Sequence, residues 1–142
     1  MSDISTFKSR TGKIGCSPTE VFNFITDIRN FEHLVPRDKI SDVKVSQNTF
    51  SFNVSPLGLV SISITEKVMY SKVVFSGNAM LVNNFSLIIL INEPDYDHSE
   101  VKLILNAELN AFLKMLAAEP ISKFLETLIC EMEKFKGWKT II

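Results

Sequence analysis

The sequence predicts an α+β fold: a strand, two short helices, a six-strand antiparallel meander, and a long C-terminal helix packed on the curved sheet. Three observations predict it. A helix-start signature sits at Ser17-Pro18-Thr19-Glu20, hydrophobic alternation of period two runs from Val43 to Leu109, and period 3.6 returns after Ala111. The chain has 142 residues, 46% of them hydrophobic, without internal repeat or Gly/Ser/Pro-rich linker, so a single domain spanning 1–142 is expected. Folding at this length buries roughly 68–70% of the extended-chain surface, enough for one sizeable core.

The first segment, Asp3 to Ile14, mixes Thr, Phe, Ile, Lys and Arg and reads as one polar strand ending at Gly15. Ser17 and Glu20 form a capping box, with Pro18 at the first helical position. Val21, Phe22, Phe24 and Ile25 supply that helix's apolar side. Asp27 to Leu34 restarts as a second short helix, closed by Pro36.

The meander follows. Val43 and Val45 precede a turn at Gln47-Asn48, and Phe50, Phe52 and Val54 end at the turn Ser55-Pro56-Leu57-Gly58. Val60, Ile62 and Ile64 alternate with Ser61, Ser63 and Thr65. Tyr70-Ser71-Lys72 turns into Val73-Val74-Phe75, Asn83-Asn84 precedes Phe85 to Ile91, and Asn92 to His98 is a polar hairpin tip. Val101, Leu103, Leu105, Ala107 and Leu109 give the last strand one apolar face. Connections this short require antiparallel neighbours, because parallel pairs need long crossovers.

In the C-terminal segment Ile121, Phe124, Leu125, Leu128, Met132 and Phe135 share one helical face. Phe112, Leu113, Met115 and Leu116 place the helix start near Ala111, Pro120 either kinks it or begins a second part, and Gly137 stops it. From Ala111 to Lys136 such a helix is roughly 39 Å long, close to the roughly 37 Å of an 11-residue strand. It can therefore lie along the concave face of the sheet.

With that order of elements in place, the segment from Ser17 to Asp27 (Ser-Pro-Thr-Glu-Val-Phe-Asn-Phe-Ile-Thr-Asp), followed by Asn30-Phe31-Glu32-His33-Leu34-Val35-Pro36, resembles the opening pattern of the START-type helix-grip superfamily (SRPBCC). That superfamily includes pathogenesis-related plant allergens, polyketide cyclases and coenzyme Q-binding proteins. Arg37-Asp38 depart from it, since the cyclase and coenzyme Q-binding subfamilies often carry an aromatic or Cys just after that proline. The resemblance implies a cavity between sheet and helix that takes a small hydrophobic ligand, lipid or isoprenoid-like, without covalent chemistry.

A curved sheet gripping one helix leaves space for such a cleft, and apolar clefts are where small ligands bind. Its expected lining is Phe52, Ile62, Ile64, Phe75, Phe85, Leu87, Leu103 and Leu105 from the sheet. Phe24, Phe31 and Leu34 would come from the short helices, and Met115, Phe124, Leu125 and Leu128 from the long one. Eleven Phe residues also fit the opposite reading, a core that fills the space. Two alternatives stay open on the same scaffold: a polyketide cyclase- or dehydrase-like enzyme using the cavity, and a protein-interaction module with a filled core.

Polar handles are few. Tyr70, Asn53, Ser86 and Asn106 sit on or beside strands. Lys8 and Arg10 share a face of the first strand, where they either hold an anionic head group or face solvent and discourage edge pairing. His33 reads as a solvated residue near the pocket mouth. Asp95-Tyr96-Asp97-His98 lacks the glycine of a calcium loop and reads as a turn.

Fifteen Lys and Arg against sixteen Asp and Glu leave a net charge of −1, without the field of a generic nucleic-acid binder. The longest apolar run, Leu87 to Ile91, is far short of the roughly 20 residues of a spanning helix. Neither a signal peptide nor membrane integration is expected. Cys16 and Cys130 are single and distant, which suits a reducing, cytoplasmic setting. No Walker A, G-x-S-x-G, H-E-x-x-H or G-x-G-x-x-G motif occurs, so no cofactor, metal or catalytic residue is assigned.

Overall fold

A computed structural model describes residues 3–35, 38, 40–54, 58–79, 84–94, 98–136 and 138. The N-terminal segment forms β1 (Asp3–Lys8) and β2 (Gly12–Ile14), followed by α1 (Pro18–Ile25) and a 3-10 helix at Ile28–His33. The meander is β3 (Ser41–Val45), β4 (Phe50–Val54), β5 (Gly58–Val68), β6 (Lys72–Ala79), β7 (Phe85–Asn92) and β8 (Ser99–Leu109). One continuous helix, α2 (Ala111–Lys134), follows β8. All strands join one antiparallel sheet in the order β1-β8-β7-β6-β5-β4-β3, with β2 also paired to β8. This is the α+β architecture that the periodicities predict.

Local chemistry explains the short helices. Ser17 Oγ accepts from the Glu20 N–H at 3.3 Å while Glu20 Oε1 accepts from the Ser17 N–H at 3.1 Å, completing the capping box. Asp27 caps the next segment by accepting from the Arg29 N–H at 3.0 Å. That segment winds as 3-10, a geometry suited to a short connector. The β3–β4 turn closes between Ser46 and Thr49. At the β5–β6 turn Tyr70 takes a left-handed φ of 61°. The expected landmarks at Pro36, Arg37, 55–57, Asn83, 95–97 and Gly137 lie outside the described residues.

The first strand differs from its expectation, being two strands and not one. Lys8 pairs with Ile104 and Gly12 with Val101, so three residues, Ser9 to Thr11, face two on β8. This is a β-bulge, which bends the strand and strengthens local twist. Ser9 repairs the interrupted ladder: its N–H donates to the Leu103 carbonyl and its Oγ accepts from the Leu103 N–H, both at 2.9 Å.

The bulge also turns Arg10 toward α2. Its Nε donates to Glu126 Oε1 at 2.9 Å and its Nη2 to Glu133 Oε1 at 2.7 Å. The Lys13 N–H donates to the second Glu133 oxygen, also at 2.9 Å. The C-terminal part of the helix is thereby clasped to the bulged edge. Arg10 thus grips the helix from outside and takes no part in the cavity described below.

Packing on the concave side forms the core. Alternate residues of β8, namely Val101, Leu103, Leu105, Ala107 and Leu109, are buried beneath Ala117, Ile121, Leu125, Leu128, Ile129 and Met132 of α2. Pro120 sits inside the continuous helix, where it removes one helical N–H donor. Gly77 is required on β6: a Cβ there would lie 2.0 Å from the Ser61 carbonyl oxygen. Its absence lets β5 and β6 approach closely where Gly77 pairs with Ile62.

Candidate functional site

The concave face does not close completely on the helix. A cavity of about 50 Å³ lies between the sheet and α2. Its walls are Phe52 and Val54 of β4, Val60 and Ile62 of β5, and Ala79 of β6. Phe85 and Leu87 of β7, Leu105 of β8, Phe31 of the 3-10 helix, and Ile121 and Phe124 of α2 complete them. Every one of these side chains is apolar. A small residue stands on this face of rings, for Ala79 lines the wall beside Val60 in register.

A chain of phenylalanines joins the core to this cavity. Phe75 meets Phe31 at 5.2 Å between ring centroids, Phe31 meets Phe50 at 5.5 Å, and Phe50 meets Phe52 at 5.6 Å. Phe52 then lies nearly parallel to Phe124, with centroids 6.2 Å apart and 11° between the ring planes. These separations suit aromatic pairing, each ring braced by the next.

Seven of the residues expected to line the cleft are brought together here: Phe31, Phe52, Ile62, Phe85, Leu87, Leu105 and Phe124. Leu34, Phe75, Leu103, Leu125 and Leu128 are buried in the surrounding core and are not on the cavity wall. Ile64, partly buried, packs against that core. Phe24 lies in a separate aromatic cluster with Phe135 at 4.9 Å and Trp138 at 5.3 Å. Met115 is 85% exposed, because it projects roughly 110° round the helix from the buried stripe. Val54, Val60, Ala79 and Ile121 line the wall without having been singled out in the sequence. Val54 and Val60 are two residues from Phe52 and Ile62, and Ile121 is three from Phe124. Simple extension of the same periodicities reaches them.

The polar candidates lie elsewhere. Arg10 is engaged by Glu126 and Glu133, and Lys8 is exposed. Ser86 and Asn106 line a shallow trough of mixed polarity on the opposite face of the sheet. Tyr70 packs edge-on against Phe22 at 5.5 Å, and exposed His33 stacks on Phe135 at 6.3 Å.

Hydrogen bonding by Arg10, then by the Lys13 N–H, holds the Glu133 carboxyl down to about 2. Arg29 likewise lowers Asp27. Both pairs are outside the cavity, whose described lining carries no titratable group. Cys16 is buried, and Cys130 is half-buried beside Arg10, whose Nη2 donates to its Sγ at 3.4 Å. Among the described residues no group of three or more His, Cys, Asp or Glu could hold a metal ion, and no helix is long and apolar enough to cross a membrane.

This geometry defines a helix-grip fold, and comparison with solved structures agrees. The chain is similar to norcoclaurine synthase from Thalictrum flavum, with a TM-score of 0.74 at 9% identity over 94% of this chain and 86% of that one. It is also similar to the protein XoxI from Bacillus cereus, with a TM-score of 0.70 at 15% identity over 92% and 93% of the two chains. A conserved protein from Geobacillus kaustophilus matches with a TM-score of 0.66 at 8% identity over 92% and 93%. Another structure of the norcoclaurine synthase is in complex with dopamine and hydroxybenzaldehyde. No protein-family model matches the sequence, and no curated protein matches it. The chain therefore shares the helix-grip fold of these structures, a likeness of shape at low sequence identity.

Proposed function

We propose that this protein binds or carries a small hydrophobic molecule, of lipid or isoprenoid-like character, in the cavity between sheet and α2. The observation that carries this reading is the wholly apolar wall formed by eleven side chains from five strands, the 3-10 helix and α2. A small void of this kind favours apolar occupants, because a polar group entering it loses water and gains no partner. The complex of the norcoclaurine synthase with dopamine and hydroxybenzaldehyde supports the fold as a host for small molecules. Phe31, Phe52, Ile62, Phe85, Leu87, Leu105 and Phe124 are the proposed contacts, in a setting we take to be cytoplasmic.

The enzymatic alternative requires an acid or base facing the cavity, and among the described lining residues no side chain supplies one. A different observation favours a second reading. Phe112, Met115 and Leu116 are exposed on the first turns of α2, as a protein-interaction module would require.

Native mass spectrometry of gently purified protein, combined with organic extraction, separates the two. Recovery of a stoichiometric apolar molecule supports the carrier. Protein that emerges empty and takes up neither lipids nor an apolar fluorescent probe overturns it in favour of the filled module.

A further inference from the structure

Four of the lining residues are phenylalanines, and one pair, Phe52 and Phe124, stacks with one ring on the sheet wall and the other on the helix wall. The two are held very differently. Phe52 is only 3% exposed and braced by Phe50. Phe124 is partly buried and stands one turn beyond Pro120, which has no N–H to return to the Leu116 carbonyl. Of the described lining residues, Phe124 alone is both partly buried and stacked on another lining ring.

The size of the void makes that difference matter. At about 50 Å³ it is smaller than a benzene-sized site, for which about 150 Å³ suffices. A ligand containing a ring can enter only if part of the wall moves. Rotating Phe124 toward solvent releases the volume of one phenyl ring and uncovers the adjoining face of Phe52.

The geometry points to a ring-exchange site: the Phe124 side chain occupies the place that a flat, uncharged aromatic ring of the ligand takes against Phe52, and it swings outward as the ligand enters. This rests on the cavity being a ligand site and names the chemistry that the site selects. Flatness follows from the parallel face offered by Phe52, since a puckered saturated ring forfeits stacking. Neutrality follows from the described lining, whose side chains offer a carboxylate or ammonium no partner once its water is lost.

Toluene, methylcyclohexane and benzoate test these features separately, since the first two share a carbon skeleton and the third adds a charge. Each is titrated into the wild-type protein and into Phe124→Ala, following the ring resonances of Phe52 and, in wild type, of Phe124 by NMR. Toluene is expected to shift both rings saturably in wild type and to bind Phe124→Ala at least tenfold more tightly. Methylcyclohexane should bind at least threefold more weakly than toluene, and benzoate at pH 7 at least thirtyfold more weakly. Phe124→Leu keeps an apolar plug without the ring and should fall between wild type and Phe124→Ala. The wild-type comparison stands even if Phe124→Ala does not fold.

Methylcyclohexane binding as well as toluene, or no gain in a folded Phe124→Ala, overturns the ring-exchange proposal while leaving the apolar carrier intact. If none of the three binds wild type or either variant, the cavity is not a ligand site and both readings fall.

Discussion

Ala79→Leu asks whether the space beside β6 is real, and the sign of its effect gives the answer. Ala79 is buried, lines the cavity and pairs in register with Val60. The substitution adds three carbons. In a fully packed wall those carbons force neighbours off their rotamers, at a cost of about 1–3 kcal/mol. In the void they are buried instead, and at about 0.8 kcal/mol per carbon the upper bound is about 2.4 kcal/mol of stabilisation. Imperfect fit reduces this, so a gain of about 1 kcal/mol is expected, within the usual range for cavity filling. Urea denaturation should show a higher midpoint with an unchanged slope, and thermal denaturation a rise of about 3 °C. A loss of more than about 1 kcal/mol, at unchanged slope, refutes the reasoning because the wall would then already be full.

Further outcomes test what holds the cavity's frame. Glu133→Gln should cost about 1 kcal/mol at pH 7: the full depression from 4.5 to about 2 would give about 3.4 kcal/mol, discounted because Arg10 is substantially exposed. A depressed carboxyl stabilises the fold above its unfolded pKa, so the wild-type advantage should shrink as pH falls from about 4.5 toward 2, measured by urea midpoints across that window. Ser9→Ala leaves the buried Leu103 N–H without its Oγ partner and should destabilise by about 1–3 kcal/mol in the same assay. Gly77→Ala drives a methyl against the Ser61 carbonyl and should cost about 3 kcal/mol, with accelerated hydrogen exchange in β5 and β6.

Features decided by near neighbours were legible in the sequence. The Ser17–Glu20 capping box needs only residues three apart, and the alternation at Val60-Ser61-Ile62-Ser63 announces a strand whatever lies beside it. The same holds for the stripe from Ile121 to Met132 on α2. Features decided across the chain were not. The bulge that divides the first strand depends on Ser9 meeting Leu103, and Arg10 acquires its role only when α2 brings Glu126 and Glu133 beside it. From the sequence, Arg10 read as a solvated charge in preference to an anion-binding group, and neither reading is a clasp on the helix.

The candidate site shows the same division. Alternation assigns Phe52, Ile62, Leu87 and Leu105 to the inward face of the sheet, but it does not say which inward residues touch the helix and which face a gap. Phe75 and Leu103 share that face and are covered, whereas Ala79, beyond Gly77 on β6, leaves the wall open. Phe24 could not be separated from the cavity lining until Phe135 and Trp138 folded back against it. The abundance of Phe, which favours a filled core, produces instead a braced chain of rings with the small void at its outer end.

The most direct test of the cavity is a titration of the wild-type protein with N-phenyl-1-naphthylamine, an uncharged aromatic probe that brightens in apolar surroundings. A functional cavity gives saturable enhancement at one probe per chain, weakened at least tenfold by Ala79→Leu. No enhancement up to the probe's solubility limit, or equal enhancement in the Ala79→Leu protein, would contradict it.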